Sequence, residues 1–321
     1  MKIMIIPGLT LPDVTEAQLA AIRHAAGDGS EVVICTPESA HNEISDTEVV
    51  LGMMPPALFA AAQQLRWVHA IASGVDAFLY NEFVESKVIL TSEKGLVGEH
   101  LADTGFGLLL MLTRQLAAAL RYGPDSWNHR PEMRYQEIEL TGLTMGIFGF
   151  GGTGRAMARR AVAFGMQVEA VDRDPVPPSA EVASVAGLDD FFPMLGRADV
   201  VSICCPLTPE TRNLFDAEAF GAMKPGAFLM NVTRGEVMVE SDLEAALTNG
   251  QLRGAALDVA PREPLPPDSP LWTMDNVVMT PHTAGASPYR AQRNIDRFVR
   301  NLARLRSNQT LEGVIDKRLG Y

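Results

Sequence analysis

Four residues in the last third of the chain have side chains suited to chemistry: Arg234, Asp258, Glu263 and His282. They stand in three short segments, NVTRGEVM at 231–238, GAALDVAPREPL at 254–265 and MTPHTAG at 279–285. Each segment ends or follows an apolar run that reads as a strand. An imidazole titrates near neutral pH and can pass a proton to or from an oxygen. A carboxylate beside it would fix its orientation. A guanidinium binds a carboxylate through two parallel hydrogen bonds and can polarise a nearby carbonyl. Taken singly, each residue has a plain reading: a turn histidine, a helix start, a solvated loop carboxylate. As a set they suit proton exchange at the carbonyl of a small acid, with Arg234, Glu263 and His282 as the candidate catalytic trio. In open parallel sheets, ligands collect outside the carboxyl ends of the strands, so residues distant in sequence can converge there.

A second motif lies upstream. Residues 143–154 read LTMGIFGFGGTG, in which Gly149, Gly151 and Gly154 form GxGxxG. An apolar strand precedes it and a helix-like run, Arg155–Phe164, follows, which is the context that makes the pattern informative. Gly149 would make the tight turn, Gly151 would let backbone approach a pyrophosphate, and Gly154 would allow close helix–strand packing. The helix N-terminus then presents free N–H groups to phosphate. Asp172 ends the next strand, 18 residues after Gly154. A carboxylate there accepts hydrogen bonds from ribose hydroxyls and repels a 2′-phosphate, which favours NAD over NADP. Arg173 beside it argues the other way, because a guanidinium pairs a phosphate.

These segments need a scaffold, and the chain supplies alternating strands and helices. Strands are expected at Lys2–Ile6, Glu31–Cys35, Glu48–Leu51, Trp67–Ala70 and Val88–Leu90. A second series is expected at Leu143–Phe148, Gln167–Val171, Val200–Cys204, Ala227–Asn231, Gly254–Asp258 and Asn276–Met279. Strand–helix alternation implies parallel sheets with right-handed crossovers. The fold class expected is therefore α/β, two doubly wound parallel-sheet units. Thr15–Ala26 carries helical spacing, and the leucines from Leu101 to Leu120 predict one long connecting helix over Glu99–Leu120. The polar stretch Gly123–Glu139 reads as an exposed crossing, and Pro288–Leu305 as an amphipathic helix.

Composition narrows the partners. The chain has 321 residues, too long for one ordinary core, so two domains are expected. The net charge of −12 argues against nucleic acid as a partner. Any acidic ligand must be captured by local groups. Cys35, Cys204 and Cys205 do not form a disulfide framework, and the vicinal pair in VVSICC reads as buried, inert thiol. No metal site is expected. The N-terminus lacks a secretory pattern, and Phe106–Leu112 is too short to span a bilayer. No membrane association and a cytoplasmic location are expected.

The whole set of segments resembles the D-isomer-specific 2-hydroxyacid dehydrogenase family. The resemblance runs over nearly the entire chain: SGVD at 73–76, GEH at 98–100, GFGGTG at 149–154, CPLTPETRNLF at 205–215, NVTRGEVM at 231–238, LDVAPREPLP at 257–266 and PHTAG at 281–285. It implies NAD(H)-dependent interconversion of a small 2-keto acid and its D-2-hydroxy acid, as in glyoxylate or hydroxypyruvate reduction. On it, Arg234 binds and orients substrate, His282 is the acid/base and Glu263 tunes His282. Ser73, Gly74 and Val75 offer backbone N–H groups to the substrate carboxylate. Gly149, Gly151, Gly152, Thr153, Gly154, Asp172, Arg173, Cys205, Pro206, Thr211, Val232, Thr233, Asp258 and Gly285 form the cofactor site, Asp258 holding the nicotinamide carboxamide. The resemblance also implies a flavodoxin-like, discontinuous substrate domain from 1–96 and 286–321, a Rossmann domain from 97–285, and a homodimer. The sequence departs from the pattern at Gly152 and Thr153, where Arg and a branched apolar residue are common, and at Cys204, where His is frequent. The loop Gly52-Met53-Met54-Pro55 matches no subgroup. A sensor of this fold without turnover would lack one of the trio, and formate oxidation would call for an amide where Glu263 stands.

Overall fold

The computed structural model describes residues 1–321, which divide into two compact units, Met1–Val97 with Ala286–Tyr321, and Gly98–Gly285. In chain order the first unit begins with β1 (Lys2–Ile5), α1 (Glu16–Ala26), β2 (Glu31–Ile34), β3 (Val49–Leu51), α2 (Pro56–Ala61), β4 (Trp67–His69), α3 (Asn81–Val84) and β5 (Ile89–Thr91). The second contains α4 (Gly98–Thr113), α5 (Leu116–Tyr122), α6 (Ser126–Gln136), β6 (Thr144–Phe148), α7 (Gly152–Ala163), β7 (Gln167–Val171), α8 (Phe191–Arg197), β8 (Val200–Ile203), α9 (Ala217–Ala222), β9 (Ala227–Asn231), α10 (Glu240–Thr248), β10 (Leu252–Leu257) and β11 (Val277–Met279). The chain then returns to the first unit with α11 (Arg290–Arg306).

The first sheet is wholly parallel, in the order β2-β1-β3-β4-β5. That is a flavodoxin-like order. Successive side chains of a strand point to opposite faces, and both faces here are buried. Ile3 and Ile5 join Val49, Leu51 and Trp67 against Leu19 and Ile22 of α1 and Ile295, Phe298 and Leu302 of α11. Met4 joins Val50 and Val68 against Leu58 of α2 and Phe83 of α3. Trp67 and Phe298 stack with ring centroids 4.9 Å apart. A buried carboxylate fixes the returning helix: Glu93 is 1% exposed and accepts from Arg290 Nη2 at 2.5 Å, Arg290 Nε at 2.9 Å and Asn294 Nδ2 at 2.9 Å. Such a charge is tolerated only where it is paired. Val314 then forms an antiparallel bridge to Thr91, covering the edge of β5.

The second sheet is also parallel, in the order β11-β10-β9-β8-β6-β7. A single parallel bridge from Val171 to Ala186 extends it beyond β7. The order reverses between β6 and β8, which opens a crevice at their carboxyl ends.

Two expectations need correction. The long helix over Glu99–Leu120 is broken. α4 ends at Thr113, Gln115 takes a left-handed φ of 54°, and α5 restarts at Leu116. The Thr113 carbonyl accepts the N–H of Ile138, so the chain returning from α6 takes the place of the next helical turn. Leu116 and Leu120 keep the leucine period but stand 48% and 75% exposed. The stretch Gly123–Glu139 is exposed as expected but holds a helix, α6, in spite of Pro131. No α6 side chain is buried, so it has no apolar stripe to betray it. His129 stacks on Tyr122 at 3.8 Å and approaches Asp125, joining α6 to α5.

His69 ends β4 fully buried, its Nδ1 2.6 Å from Thr91 Oγ1, which also accepts from Trp67 Nε1. Burial, aided by the Arg297 cation, pushes its imidazole down to about 3. The unfolded chain binds a proton there below about 6.5 while the folded chain does not, so stability falls as pH drops through that window. His69→Gln is expected to flatten denaturant-derived stability against pH between 6 and 4 by about one proton, or about 1.4 kcal/mol per pH unit. Identical slopes for the two proteins would refute this.

Candidate active site

The candidate residues gather at the carboxyl edge of the second sheet, on loops that follow the neighbouring strands β9, β10 and β11. At the end of β9, Asn231 acts as a local brace. Its Nδ2 donates to the Arg234 carbonyl at 2.9 Å, and its Oδ1 accepts the N–H of Thr233 at 3.0 Å. Arg234 is half-buried, and its Nη1 donates to the Thr233 carbonyl at 2.9 Å. The next residue, Gly235, lies directly on the loop after β10: a Cβ built there would fall 1.9 Å from the Ala260 carbonyl oxygen. Only glycine fits, so the loop carrying Arg234 locks backbone to backbone against the loop carrying Glu263.

That contact leads to the imidazole. The Ala260 N–H donates to Glu263 Oε1 at 3.0 Å, and Glu263 Oε2 lies 2.6 Å from His282 Nδ1. The carboxylate thus fixes the ring through Nδ1 and leaves Nε2 outside that contact. Both side chains are partly open, 37% for Glu263 and 43% for His282. His282 is therefore not a buried turn histidine. Its backbone is left-handed, with φ 54°, a conformation that costs free energy in a non-glycine residue. Asp258 offsets that cost. Its carbonyl accepts the His282 N–H at 2.8 Å. Its fully buried carboxylate accepts from Thr280 Oγ1 at 2.6 Å, Thr283 N at 2.9 Å and Ala284 N at 2.9 Å. A carboxylate offers about four lone-pair positions, so three go to shaping the histidine turn.

The glycine motif sits at the crevice. Gly149 has φ +95°, and a Cβ there would meet Cys205 N at 2.6 Å. A Cβ on Gly154 would meet the Gly149 carbonyl at 2.2 Å. Gly151 is the N-cap of α7, without a side-chain cap, and faces open space. With Gly152 and Thr153 it leaves uncapped N–H groups pointing out of a 12-residue helix. A dinucleotide pyrophosphate fits this cradle. Asp172 Oδ2 accepts the Phe150 N–H at 2.6 Å and Oδ1 the Asp174 N–H at 3.0 Å. Arg173 Nε lies 3.6 Å from Asp174. On the loop after β8, Thr211 Oγ1 donates to the Pro206 carbonyl at 2.7 Å. Val232 is buried beside Thr233, whose hydroxyl reaches the Ile203 carbonyl. Gly285 closes the second unit. Ser73, Gly74 and Val75 belong to the chain's other unit, on the loop that follows β4. Asn231, Gly235 and Phe150 escaped the sequence reading. Gly235 alone carried a signal, a glycine adjoining the candidate arginine.

Two parallel α/β units, a phosphate cradle at a strand-order reversal and an Arg/Glu/His edge define a dinucleotide-dependent oxidoreductase. The model of the NAD binding domain of D-isomer specific 2-hydroxyacid dehydrogenases matches residues 106–284. The glyoxylate reductase of Korarchaeum cryptofilum is 34% identical over 76% of this chain and 74% of its own. Glyoxylate/hydroxypyruvate reductase A of Serratia proteamaculans is 33% identical over 83% of this chain and 85% of its own. The crystal structure of the NADPH-dependent glyoxylate/hydroxypyruvate reductase of Sinorhizobium meliloti superposes with a TM-score of 0.81 at 28% identity, covering all of both chains. The chain belongs to the D-isomer specific 2-hydroxyacid dehydrogenase family. It is an NAD-binding oxidoreductase acting on a CH–OH group.

The vicinal cysteines have no redox geometry. Cys205 packs into the core between the sheet and α8–α10, while Cys204 packs with α4 and α7 on the opposite face. Burial pushes the Cys204 thiol up to about 12, against a lowering contact from Ser202, and pushes Cys205 up as well. Cys35 is buried and free. Thiols held protonated in this way are poor nucleophiles. A native-state titration with a thiol reagent is expected to find none of the three cysteines fast-reacting. Rapid modification of Cys204 or Cys205 in the folded protein would contradict it.

Proposed function

We propose that the protein interconverts small 2-keto acids, of the glyoxylate and hydroxypyruvate kind, with their D-2-hydroxy acids, using NADH in preference to NADPH. The linked edge Arg234–Gly235, Ala260–Glu263 and His282 carries this reading. When bound, the dihydronicotinamide supplies the hydride that goes to the keto carbon. Arg234 holds the substrate carboxylate and draws electron density toward the carbonyl oxygen. His282 Nε2 delivers a proton to that oxygen as it becomes a hydroxyl. In the reverse direction the same nitrogen takes the hydroxyl proton. Glu263 engages Nδ1 and keeps the ring aimed.

For the cofactor, we assign the pyrophosphate to Gly151, Gly152, Thr153 and the start of α7. The adenosine ribose goes to Asp172, and the other contacts go to Cys205, Pro206, Thr211, Val232, Thr233 and Gly285. The carboxylate of Asp172 supports NADH, because a 2′-phosphate there meets a like charge. Asp174 beside Arg173 supports the same choice by occupying that cation. Exposed Leu116, Leu120, Trp127 and Tyr135 on α5 and α6 support a homodimer that buries them. No helix is long and apolar enough to cross a membrane. The three free cysteines support a cytoplasmic location.

The purified protein is expected to oxidise NADH with glyoxylate or hydroxypyruvate, at a higher kcat/KM than with NADPH. Inactivity across a panel of 2-keto acids with both cofactors would overturn the substrate class, and a clear NADPH advantage would move the 2′-position to Arg173. His282→Ala is expected to lower kcat by at least about a hundredfold, the usual scale of general acid–base catalysis, while NADH binding by fluorescence stays within about twofold. Near-native kcat in that variant would remove His282 from proton transfer.

A further inference from the structure

Arg155 stands one residue beyond the glycine motif, in the first turn of α7. Its guanidinium lies 4.7 Å from the centroid of the Phe150 ring. It donates to the Pro177 carbonyl at 2.5 Å and to the Pro178 carbonyl at 3.4 Å. Phe150 is fully buried, and its N–H is the group that holds Asp172 Oδ2. The stretch between Asp172 and those carbonyls reads Arg-Asp-Pro-Val-Pro-Pro. Its three prolines have no N–H to donate, so backbone hydrogen bonds alone hold it poorly. Arg155 supplies donors from outside, and its planar fork reaches both carbonyls while stacking on an aromatic face.

We propose that Arg155 is a positioning residue for the adenosine half of the dinucleotide. It clamps the 173–178 stretch to the Phe150 ring and so keeps the Asp172 carboxylate and the flanking proline wall in place before the cofactor arrives. The proposal rests on the reading of this unit as the dinucleotide site. The clamp acts through the loop and makes no contact with the reacting atoms. Removing it weakens cofactor capture and leaves the chemical step alone. A preformed loop saves the ordering cost that binding would otherwise carry.

Arg155→Ala and Arg155→Lys in the full chain test this. Four measurements apply: NADH binding by fluorescence, displacement by AMP and by nicotinamide mononucleotide, amide exchange at Arg173, Asp174 and Val176 without ligand, and steady-state kinetics with NADH varied. In Arg155→Ala the dissociation constants for NADH and AMP are expected to rise about tenfold, one strong charge-assisted contact, with that for the mononucleotide unchanged. Exchange at the three amides should quicken, and KM for NADH should rise while kcat at saturating NADH holds. Lysine keeps the charge without the fork and should restore only part of the affinity. Wild-type AMP affinity with wild-type exchange would overturn the clamp. Equal losses for AMP and the mononucleotide would overturn it too, by marking Arg155 as a phosphate contact. Failure of the unsubstituted protein to bind NADH at all would sink the dinucleotide reading itself.

Discussion

The close approach of Gly235 to the Ala260 carbonyl is the constraint on which the candidate catalytic edge depends. Parallel neighbouring strands bring their carboxyl ends level about 4.8 Å apart, which is too coarse a placement for proton transfer. The glycine contact removes the remaining slack. Ala260 is pinned by it, and Ala260 in turn donates to Glu263, which holds His282. Asp258 closes the same arrangement from the other side by shaping the left-handed turn at His282. Three side chains on three loops thus share one backbone framework, and none relies on a long flexible tether.

The electrostatics are equally local. A chain of net charge −12 offers no long-range attraction to an acidic substrate or a pyrophosphate. On the proposed reading, anion capture falls to groups a few ångströms across: the uncapped start of α7 and the Arg234 guanidinium. Even the carboxylates serve this end. Asp258 and Glu263 accept backbone N–H groups and so fix the loops that bear the donors.

Much of this was legible in the sequence, for identifiable reasons. Strands buried on both faces read as short apolar runs, and β1, β6 and β9 lie within a residue or two of their expected positions. The glycine motif and the candidate trio could be singled out because the chemistry they would serve restricts residue type. Other features depend on tertiary neighbours. The break at Gln115 arises because Ile138 returns to the Thr113 carbonyl, which no leucine period can signal. Helix α6 has no buried face, so its polarity matches that of a loop. Phe150 occupies a variable place in the glycine motif and Arg155 the position just after it, and their partnership becomes visible only when the proline stretch folds over them.

The returning helix has a consequence for synthesis on the ribosome. All five strands of the first sheet emerge within the first 91 residues, yet one face of that sheet is closed by Ile295, Phe298 and Leu302. Until those residues leave the exit tunnel, Trp67 lacks its stacking partner and Glu93 its cation. The inserted unit, complete by Gly285, can finish its own core first. The nascent chain therefore carries a half-covered apolar sheet while just over two hundred further residues are translated. That interval is where a holdase chaperone would find its binding surface.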